Sequence, residues 1–418
     1  MSTTSYIDHH AHVWGTGYKV THPKLDAATS IEEIHTILMP LITSANGGWV
    51  TARGWDQNKW SKKVFPTKED LDILSTDIPI ALTRIDGHAM WCNSKALELA
   101  GITSTTQSPH GGDILKTTSG EPTGILLDDA MQLIHAAIPA ESIEQTKYLL
   151  HEGLKEFAKQ HIGVHDMGIP AEWWPAYKQL YRESGDTLPT SYVFLDMSKP
   201  TGRALFLQKM NEKVFDDSSH KNLKLIGIKL YLDGALGSRG AQLYEPYSDA
   251  PETRGLALTQ NSDALYLMEA AARRGLQIAI HAIGDAANAR ALDLIQAVKP
   301  LGNSDALFRI EHAQIVRDED LERYRDLNVT AVIQPQFFAS DRHWAIDRLG
   351  EERMKTAYRW KSLLDAGISI AGSSDSPIEA AEATTGIQLF QRREGVDDGE
   401  QLSEAEAIQA YSPCHLDR

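Results

Sequence analysis

Residues 276–285 read LQIAIHAIGD and residues 307–316 read LFRIEHAQIV, and these two stretches indicate the fold. In each, a short run of apolar, β-branched residues carries a histidine near its C-terminal end, His281 in the first and His312 in the second. Such runs alternate with longer segments that have apolar residues at helical spacing, such as SDALYLMEAAARRG. This alternation is typical of repeated βα units around a parallel sheet.

Further runs of the same kind occur along the chain. They are SYIDHHAHV from Ser5, IGVHDMG from Ile162, TSYVFLDM from Thr190, LIGIKLYLDG from Leu225, VTAVIQPQF from Val329 and ISIAGSSDSP from Ile368. Together with the first two they make eight, which is the number of βα repeats that closes a barrel. The sequence therefore predicts an α/β fold, a (β/α)8 TIM barrel. We expect this barrel to extend over residues 1–418 as a single domain.

One segment departs from the repeat, because residues 14–161 are far longer than an ordinary connection between a strand and a helix. It has its own turn signals, such as GGW and SPHGG, with a predicted strand at IPIALTRID and a predicted helix at SKALELAG. We predict that residues 20–140 form an inserted subdomain that lies over the mouth of the barrel.

Composition narrows the classes of partner. The formal net charge is −16, and the only cysteines are Cys92 and Cys414. Nucleic acids and anionic membranes attract basic patches, so neither is an expected partner. Two distant cysteines indicate neither a disulfide framework nor a thiolate zinc site. The N-terminal residues lack the pattern of a signal peptide, and no apolar run approaches about 20 residues. We expect a cytoplasmic protein that binds a small-molecule substrate, as a monomer or a homo-oligomer.

Polar residues recur near the C-terminal ends of the predicted strands. They are His10, His12, Asp166, Lys229, Asp233, His281, Asp285, His312, Gln334 and Asp375. In a parallel barrel these ends converge on the face where active sites are built. A single residue of this kind is equally consistent with a helix cap, and a lone histidine with a hydrogen-bonded core residue. Recurrence on many strands favours one common site.

The residue types in this set are those that bind metals. His10 and His12 are two apart on a strand, so both imidazoles point to one face and can reach one ion, whereas His9 points the other way and is expected to be structural. Imidazole is a common ligand for zinc. Asp375 can both bind a metal and accept a proton from water, with an Asx turn or a helix cap as the alternative. Lys229 needs a partner inside its apolar strand, and an ion pair or a snorkelling side chain is the alternative.

Several longer motifs carry a resemblance to a known family. They are D-x-H-x-H from Asp8, IKLYLDGALGSRGA from Ile228, IHAIGDAAN from Ile280, RIEHAQ from Arg309 and GSSDSP from Gly372, with GWDQNKW from Gly54 and DGHAMWCNSKALELAGI from Asp86 in the insert. In this order they resemble the amidohydrolase superfamily, and they are most similar to the family 3 branch that includes the N-substituted formamide deformylases.

The resemblance implies a binuclear metal site, commonly zinc. The implied ligands are His10, His12, Lys229, His281, His312 and Asp375. The first two would hold one ion and His281 and His312 the other. By the same resemblance Lys229 would be carboxylated and bridge both ions, and Asp375 would be a ligand and the general base. Members of the family also carry flanking residues that form a small β-sandwich, which this chain is expected to lack.

The implied activity is hydrolysis of a non-peptide carbon–nitrogen bond, amide or formamide-like, by a metal-activated hydroxide. The same ligands support cleavage of an ester, lactone or phosphoester, and a non-catalytic binding or regulatory protein could keep the barrel. Our candidates for substrate contact are Trp55, Asp56, His88, Trp91 and Arg239. The alternative is that both tryptophans are core residues of the insert and Arg239 forms a surface ion pair.

Overall fold

The computed structural model describes residues 5–45, 48–139, 141–212, 215–303, 305–396 and 398–417. The chain separates into two compact units. Unit 1 comprises Met1–Tyr18, Ser142–Leu236 and Ala241–Arg418. Unit 2 comprises Lys19–Glu141 and Gly237–Gly240.

The strands are β1 (Tyr6–Ala11), β2 (Val50–Trp55), β3 (Ile80–Arg84), β4 (Ala89–Cys92), β5 (Gly112–Lys116), β6 (Pro122–Asp128), β7 (His161–Ile169), β8 (Thr190–Asp196), β9 (Leu223–Tyr231), β10 (Gln277–Ala282), β11 (Leu307–His312), β12 (Thr330–Ile333) and β13 (Ile370–Gly372). The helices are α1 (Val13–Thr21), α2 (Ile31–Ser44), α3 (Lys68–Asp72), α4 (Ser94–Leu99), α5 (Met131–His135), α6 (Ile143–Phe157), α7 (Trp174–Ser184), α8 (Pro200–Glu212), α9 (Asn261–Ala272), α10 (Asp285–Val298), α11 (Asp318–Asp326), α12 (Pro335–Met354), α13 (Trp360–Asp365), α14 (Ala383–Arg392) and α15 (Glu404–Ala410).

Unit 1 is a parallel barrel. Its strands follow the order β1-β7-β8-β9-β10-β11-β12-β13, and each paired neighbour runs parallel. At the closing seam, Asp375 N donates to His10 O at 2.8 Å and His12 N donates to Ser376 O at 2.7 Å. The unit has the predicted (β/α)8 TIM barrel fold, and all eight predicted runs supply its strands.

The strands of the barrel are apolar because both of their faces are covered. Every residue of β10 is buried, from Gln277 to Ala282. The helix that follows it, α10, turns Ala287, Ala291 and Ile295 towards this layer. Near-continuous burial of a strand is what a helix-covered parallel sheet requires, and it explains why the runs read as apolar throughout.

The C-terminal segment 412–417 lies against the N-terminal ends of barrel strands. Leu416 is fully buried, and its carbonyl accepts a hydrogen bond from Gln277 Nε2 at 2.6 Å at the start of β10. The ring of His415 lies 3.0 Å from Thr330 Oγ1 at the start of β12. This segment therefore packs at the end of the barrel opposite to the strand ends that carry the candidate ligands.

Unit 2 contains a five-stranded sheet in the order β2-β3-β4-β6-β5. β2 pairs with β3 in parallel, and the remaining pairs are antiparallel. β3 and α4 occupy the stretches in which a strand and a helix were predicted. Its core is built around Trp55, Trp60 and Trp91. Among the described residues of the whole chain, no helix combines the length and the apolar character needed to cross a membrane.

Candidate metal centre

The residues predicted as metal ligands all belong to unit 1, at or just beyond the C-terminal ends of its strands. They are His10 on β1, His12 just after it, Lys229 on β9, His281 on β10, His312 at the end of β11 and Asp375 after β13. The imidazole rings form a connected group, with centroids 5.5 Å apart for His10 and His12, 4.9 Å for His10 and His312, and 4.6 Å for His281 and His312.

Glu311 fixes the orientation of His10. The Nδ1 atom of His10 lies 2.5 Å from Glu311 Oε2, and both side chains are fully buried. Burial alone raises the pKa of Glu311, but Arg309 and His10 outweigh it and hold that pKa well below its usual range. An ionised carboxylate only accepts hydrogen bonds, so Nδ1 is the donor. The Nε2 atom of His10 therefore faces the site as the nitrogen that can bind a metal.

Asp375 Oδ1 lies between His10 and His12. It is 3.3 Å from His10 Nε2 and 3.1 Å from His12 Nε2, and the three ligand atoms lie within 4.8 Å of one another. This oxygen is buried and has no hydrogen bond from any described residue. Burial raises the pKa of the Asp375 carboxyl, yet the two imidazoles keep it well below its usual value.

These three side chains fit a cation. Burial lowers the pKa of His12, with Asp375 opposing that effect, so its ring tends to be neutral and to offer a lone pair. Two ring nitrogens and a carboxylate oxygen lie close enough together to share one cation. Imidazole and carboxylate together are the donor set that Zn²⁺ accepts.

His281 and His312 each have one ring nitrogen assigned to a protein acceptor. Gln334 donates through Nε2 to Ser373 Oγ at 2.9 Å, so its Oε1 accepts from His312 Nδ1 at 2.8 Å. In the same way, His281 Nε2 lies 3.4 Å from the Gly234 carbonyl oxygen. Burial, the largest cause, lowers the pKa of His312 to about 3, so its ring is neutral. Each imidazole thus keeps its other nitrogen for a ligand.

Lys229 lies beside this group. Its side chain is fully buried, with Nζ 3.4 Å from His10 Nε2 and 5.0 Å from the centroid of the Tyr231 ring. Burial lowers the pKa of Lys229 to about 8, against the opposing charges of Glu311 and Asp375. An amine with this pKa is partly unprotonated at neutral pH, which a reactive lysine requires.

The other late-strand aspartates have structural partners. Asp233 accepts from Ile283 N at 3.0 Å and Gly284 N at 2.8 Å. Asp285 accepts from Tyr244 N at 3.0 Å and from Ala286 N at the first turn of α10. Asp166 accepts from the Tyr177 hydroxyl, and burial raises its pKa to about 6. Asp285 therefore binds backbone amides as the first residue of α10, whose N-cap is Gly284.

Asp56 and His88 lie in one polar cluster of unit 2, around the buried Arg84. Arg84 Nη2 donates to Asp56 Oδ1 at 2.6 Å, and Nη1 donates to Asp86 Oδ2 at 2.6 Å. His88 N donates to Asp86 Oδ1 at 3.0 Å, and His88 Nδ1 lies 2.6 Å from Asp128 Oδ1. Only 18% of the His88 side chain is exposed.

The remaining candidates for substrate contact also belong to unit 2. Trp55 and Trp91 fill its core, where Trp55 Nε1 donates to Leu82 O at 2.8 Å and Trp91 Nε1 donates to Thr67 O at 2.7 Å. Arg239 lies in Gly237–Gly240 with a φ of 61°, in the left-handed region. As core residues, the tryptophans stabilise the insert; their contact with a substrate stays a prediction.

Sequence reasoning missed Glu311, which binds His10, and Arg309, which binds Glu311. The signal was present in RIEH, because two opposite charges spaced two apart in an otherwise apolar strand must share a face and a partner.

Comparison with known proteins places the chain among related sequences. A model of the amidohydrolase family matches residues 6–413. The chain is 34% identical to YtcJ of Bacillus subtilis (strain 168), over 98% of this chain and 77% of that protein. It is 27% identical to the N-substituted formamide deformylase of Arthrobacter pascens, over 84% of this chain and 65% of that protein.

A solved structure is similar over nearly the whole chain. It is an uncharacterized metal-dependent hydrolase from Pyrococcus furiosus, with 30% identity and a TM-score of 0.74, over 97% of this chain and 80% of that one. The match to the family model, the shared barrel and the cluster of imidazoles and carboxylate at its strand ends lead to one conclusion: the chain belongs to the amidohydrolase family and is a hydrolase.

Proposed function

We propose that this hydrolase is metal-dependent and cleaves a non-peptide carbon–nitrogen bond of an amide or formamide-like substrate. The observation that carries the proposal is the buried Asp375 Oδ1, which lacks a hydrogen bond from any described residue and faces the Nε2 atoms of His10 and His12. The relatives support the class of bond, since one is an N-substituted formamide deformylase.

The proposed centre holds two divalent ions, with zinc the expected metal. His10 and His12 would hold one ion, His281 and His312 would hold the other, and Asp375 would be a further ligand. Lys229 is carboxylated: its neutral amine attacks carbon dioxide, forms an N–C bond and releases one proton. The resulting carbamate would carry one negative charge and could serve both ions as a ligand. Carboxylation of Lys229 is supported by the position of its Nζ atom, which lies 3.4 Å from His10 Nε2.

A divalent ion bound here would polarise the substrate carbonyl and lower the pKa of a bound water. Asp375 accepts the proton of the attacking water and delivers it to the leaving nitrogen as the carbon–nitrogen bond breaks. Asp375 follows β13, and its backbone N–H donates to His10 O at 2.8 Å. This hydrogen bond helps to hold the carboxylate in place for both transfers.

Substrate recognition is assigned to unit 2. We propose that Asp56, His88 and Arg239 take part in it, with His88 oriented by Asp128. That residues 20–140 cover the mouth of the barrel stays a prediction, as does a cytoplasmic location. A small molecule is the expected substrate.

A substrate panel tests this function. Protein is dialysed against a chelator, and hydrolysis of formamides, amides, lactones and phosphotriesters is measured before and after zinc is restored. We expect cleavage of formamides or amides that is lost on chelation and regained with zinc. Cleavage of lactones or phosphotriesters alone would show that the bond class is wrong. Absence of hydrolysis and of bound metal would favour a non-catalytic barrel.

A further inference from the structure

A second cluster of buried polar side chains lies in the interior of unit 1, next to the C-terminal segment. His165 Nε2 lies 2.8 Å from Asp417 Oδ1, and His9 Nε2 lies 3.6 Å from the same oxygen. On its other side the His165 ring meets Arg309, with 2.8 Å between Nδ1 and Nη1. Arg309 in turn binds Glu311 through Nε at 2.5 Å and Nη2 at 3.1 Å.

The direction of each hydrogen bond in this chain follows from Arg309. A guanidinium only donates, so His165 Nδ1 accepts from it. Burial is the main reason why the pKa of His165 falls to about 3, and the ring is therefore neutral. A neutral ring that accepts at Nδ1 carries its hydrogen on Nε2, which donates to Asp417. The same reasoning makes Glu311 the acceptor for both Arg309 and His10 Nδ1.

These directions argue against a third metal site at this cluster. His9, His165 and Asp417 are residue types that bind metals, and their ligand atoms lie within 4.8 Å of one another. However, the Nε2 of His165 carries a hydrogen and has no lone pair for an ion. The positive guanidinium of Arg309 next to the ring also disfavours a second cation there. The cluster is a hydrogen-bonded chain.

We propose that Glu311 is a positioning residue for His10, and that Arg309, His165 and Asp417 hold Glu311 in place, so that the C-terminal segment acts on the metal centre from the opposite end of the barrel. The inference rests on the proposed function, since it takes His10 as a metal ligand. Glu311 keeps the hydrogen on His10 Nδ1, which leaves Nε2 free to bind. Without the carboxylate, the ring can adopt the other tautomer or rotate.

The zinc affinity of the protein tests this hydrogen-bonded chain, and its measurement needs no substrate. Metal-free protein is titrated with zinc in competition with a chromophoric chelator. For Glu311→Gln we expect the zinc Kd to rise about 10- to 100-fold, the usual effect of removing a carboxylate partner of a ligating histidine. Asp417→Asn should raise Kd by less. The double variant should lose less than the product of the two single losses, because Asp417 acts on His10 through Glu311.

The matched control is Asp320→Asn. Asp320, on α11, is also a buried carboxylate. It pairs with two arginines, Arg317 at 2.8 Å and Arg323 at 3.0 Å. Its replacement should leave the zinc Kd unchanged. The visible spectrum of the cobalt(II)-loaded protein should change in Glu311→Gln and stay unchanged in the control. Only Glu311→Gln removes the carboxylate that orients the proposed ligand His10.

The outcomes separate the inference from the proposed function. A wild-type chain that binds no zinc would overturn both. A wild type that binds zinc, with a folded Glu311→Gln within about twofold of it, would overturn the inference alone. If Glu311→Gln fails to fold, Asp417→Asn decides: an unchanged Kd overturns the proposal and a raised Kd supports it. A third zinc ion that is lost in Asp417→Asn would show that the cluster is a metal site. That result would overturn the proposed hydrogen-bonded chain.

Discussion

Asp375 combines two properties that are unusual in a core residue, an unsatisfied carboxylate oxygen and a backbone in the left-handed region. Its carboxylate is buried, and its Oδ1 atom faces two imidazole nitrogens without a hydrogen bond from any described residue. Its backbone is held at a φ of 55°, a conformation that L residues adopt at a cost. Strain and an unsatisfied carboxylate at one position are typical of a functional site and set Asp375 apart from a helix cap.

Asp375→Asn separates proton transfer from ligation. Asparagine keeps the size and one oxygen but cannot accept a proton at neutral pH, so we expect kcat to fall by about two to four orders of magnitude. KM should change much less, because the histidines remain. Steady-state kinetics on the best substrate of the panel measures both constants. Asp285→Asn is the control, since that late-strand carboxylate binds backbone amides. A kcat for Asp375→Asn within about threefold of wild type would rule out the general-base role.

Lys229→Ala tests the bridge between the ions. We expect lower metal content and lower activity, with partial recovery in bicarbonate or a short carboxylic acid that occupies the place of the carbamate. Metal per chain and hydrolysis rate are measured together. Lys209→Ala is a matched control, because Lys209 is also a buried lysine and pairs with Asp217 at 2.6 Å. Full metal content and rate in Lys229→Ala would instead favour a centre with one ion.

At the scale of secondary structure, two helices of unit 1 approach so closely that only glycine fits. A Cβ on Gly153 of α6 would lie 2.1 Å from the carbonyl oxygen of Val13, and a Cβ on Gly17 of α1 would lie 1.8 Å from that of Leu149. The first turn of α1 directly follows His12. This packing therefore helps to place the segment that carries His10 and His12.

Gly153→Ala should destabilise the protein by about 1–3 kcal/mol, because the added methyl must force the two backbones apart. Urea unfolding monitored by circular dichroism measures the change. Lys155→Ala is the control on the same helix, since 55% of that side chain is exposed and it forms a surface ion pair with Glu152. Equal stability of Gly153→Ala and wild type would contradict the close packing.

The elements of the barrel could be predicted because strands covered on both faces must be apolar, as β10 is. The candidate ligands could be named because they follow such runs, and their binding of metal stays a prediction. Glu311 was missed since its role depends on a contact with His10, far away in the chain. The C-terminal segment was missed for the same reason: CHLD has no periodic pattern, and only contacts such as Gln277 with Leu416 define its place.

At the scale of the whole molecule, the metal ions should stabilise the fold as well as supply chemistry. Ligands for one centre come from the first and the last barrel strands, so an ion joins distant parts of the sequence. A ligand that binds the folded state alone stabilises it by about 2.7 kcal/mol at a free concentration 100 times its Kd.

Removal of metal should accordingly lower Tm. We expect protein treated with a chelator to unfold at a lower temperature than the untreated protein, and zinc to restore the difference. Differential scanning calorimetry measures the shift. In His281→Ala, which removes one proposed ligand, chelation should change Tm less than in wild type. An identical Tm with and without chelator, in protein shown to contain metal before treatment, would contradict this stabilisation.

The number of metal ions per chain tests the central claim most directly. Wild-type protein is purified without chelator, and divalent metal is measured by elemental analysis alongside activity, with His12→Ala and His312→Ala as variants that each remove a ligand of one proposed ion. We predict up to two ions per wild-type chain, mainly zinc, and fewer in each variant together with a loss of hydrolysis. A wild-type chain with no more than trace metal and undiminished hydrolytic activity would contradict the claim.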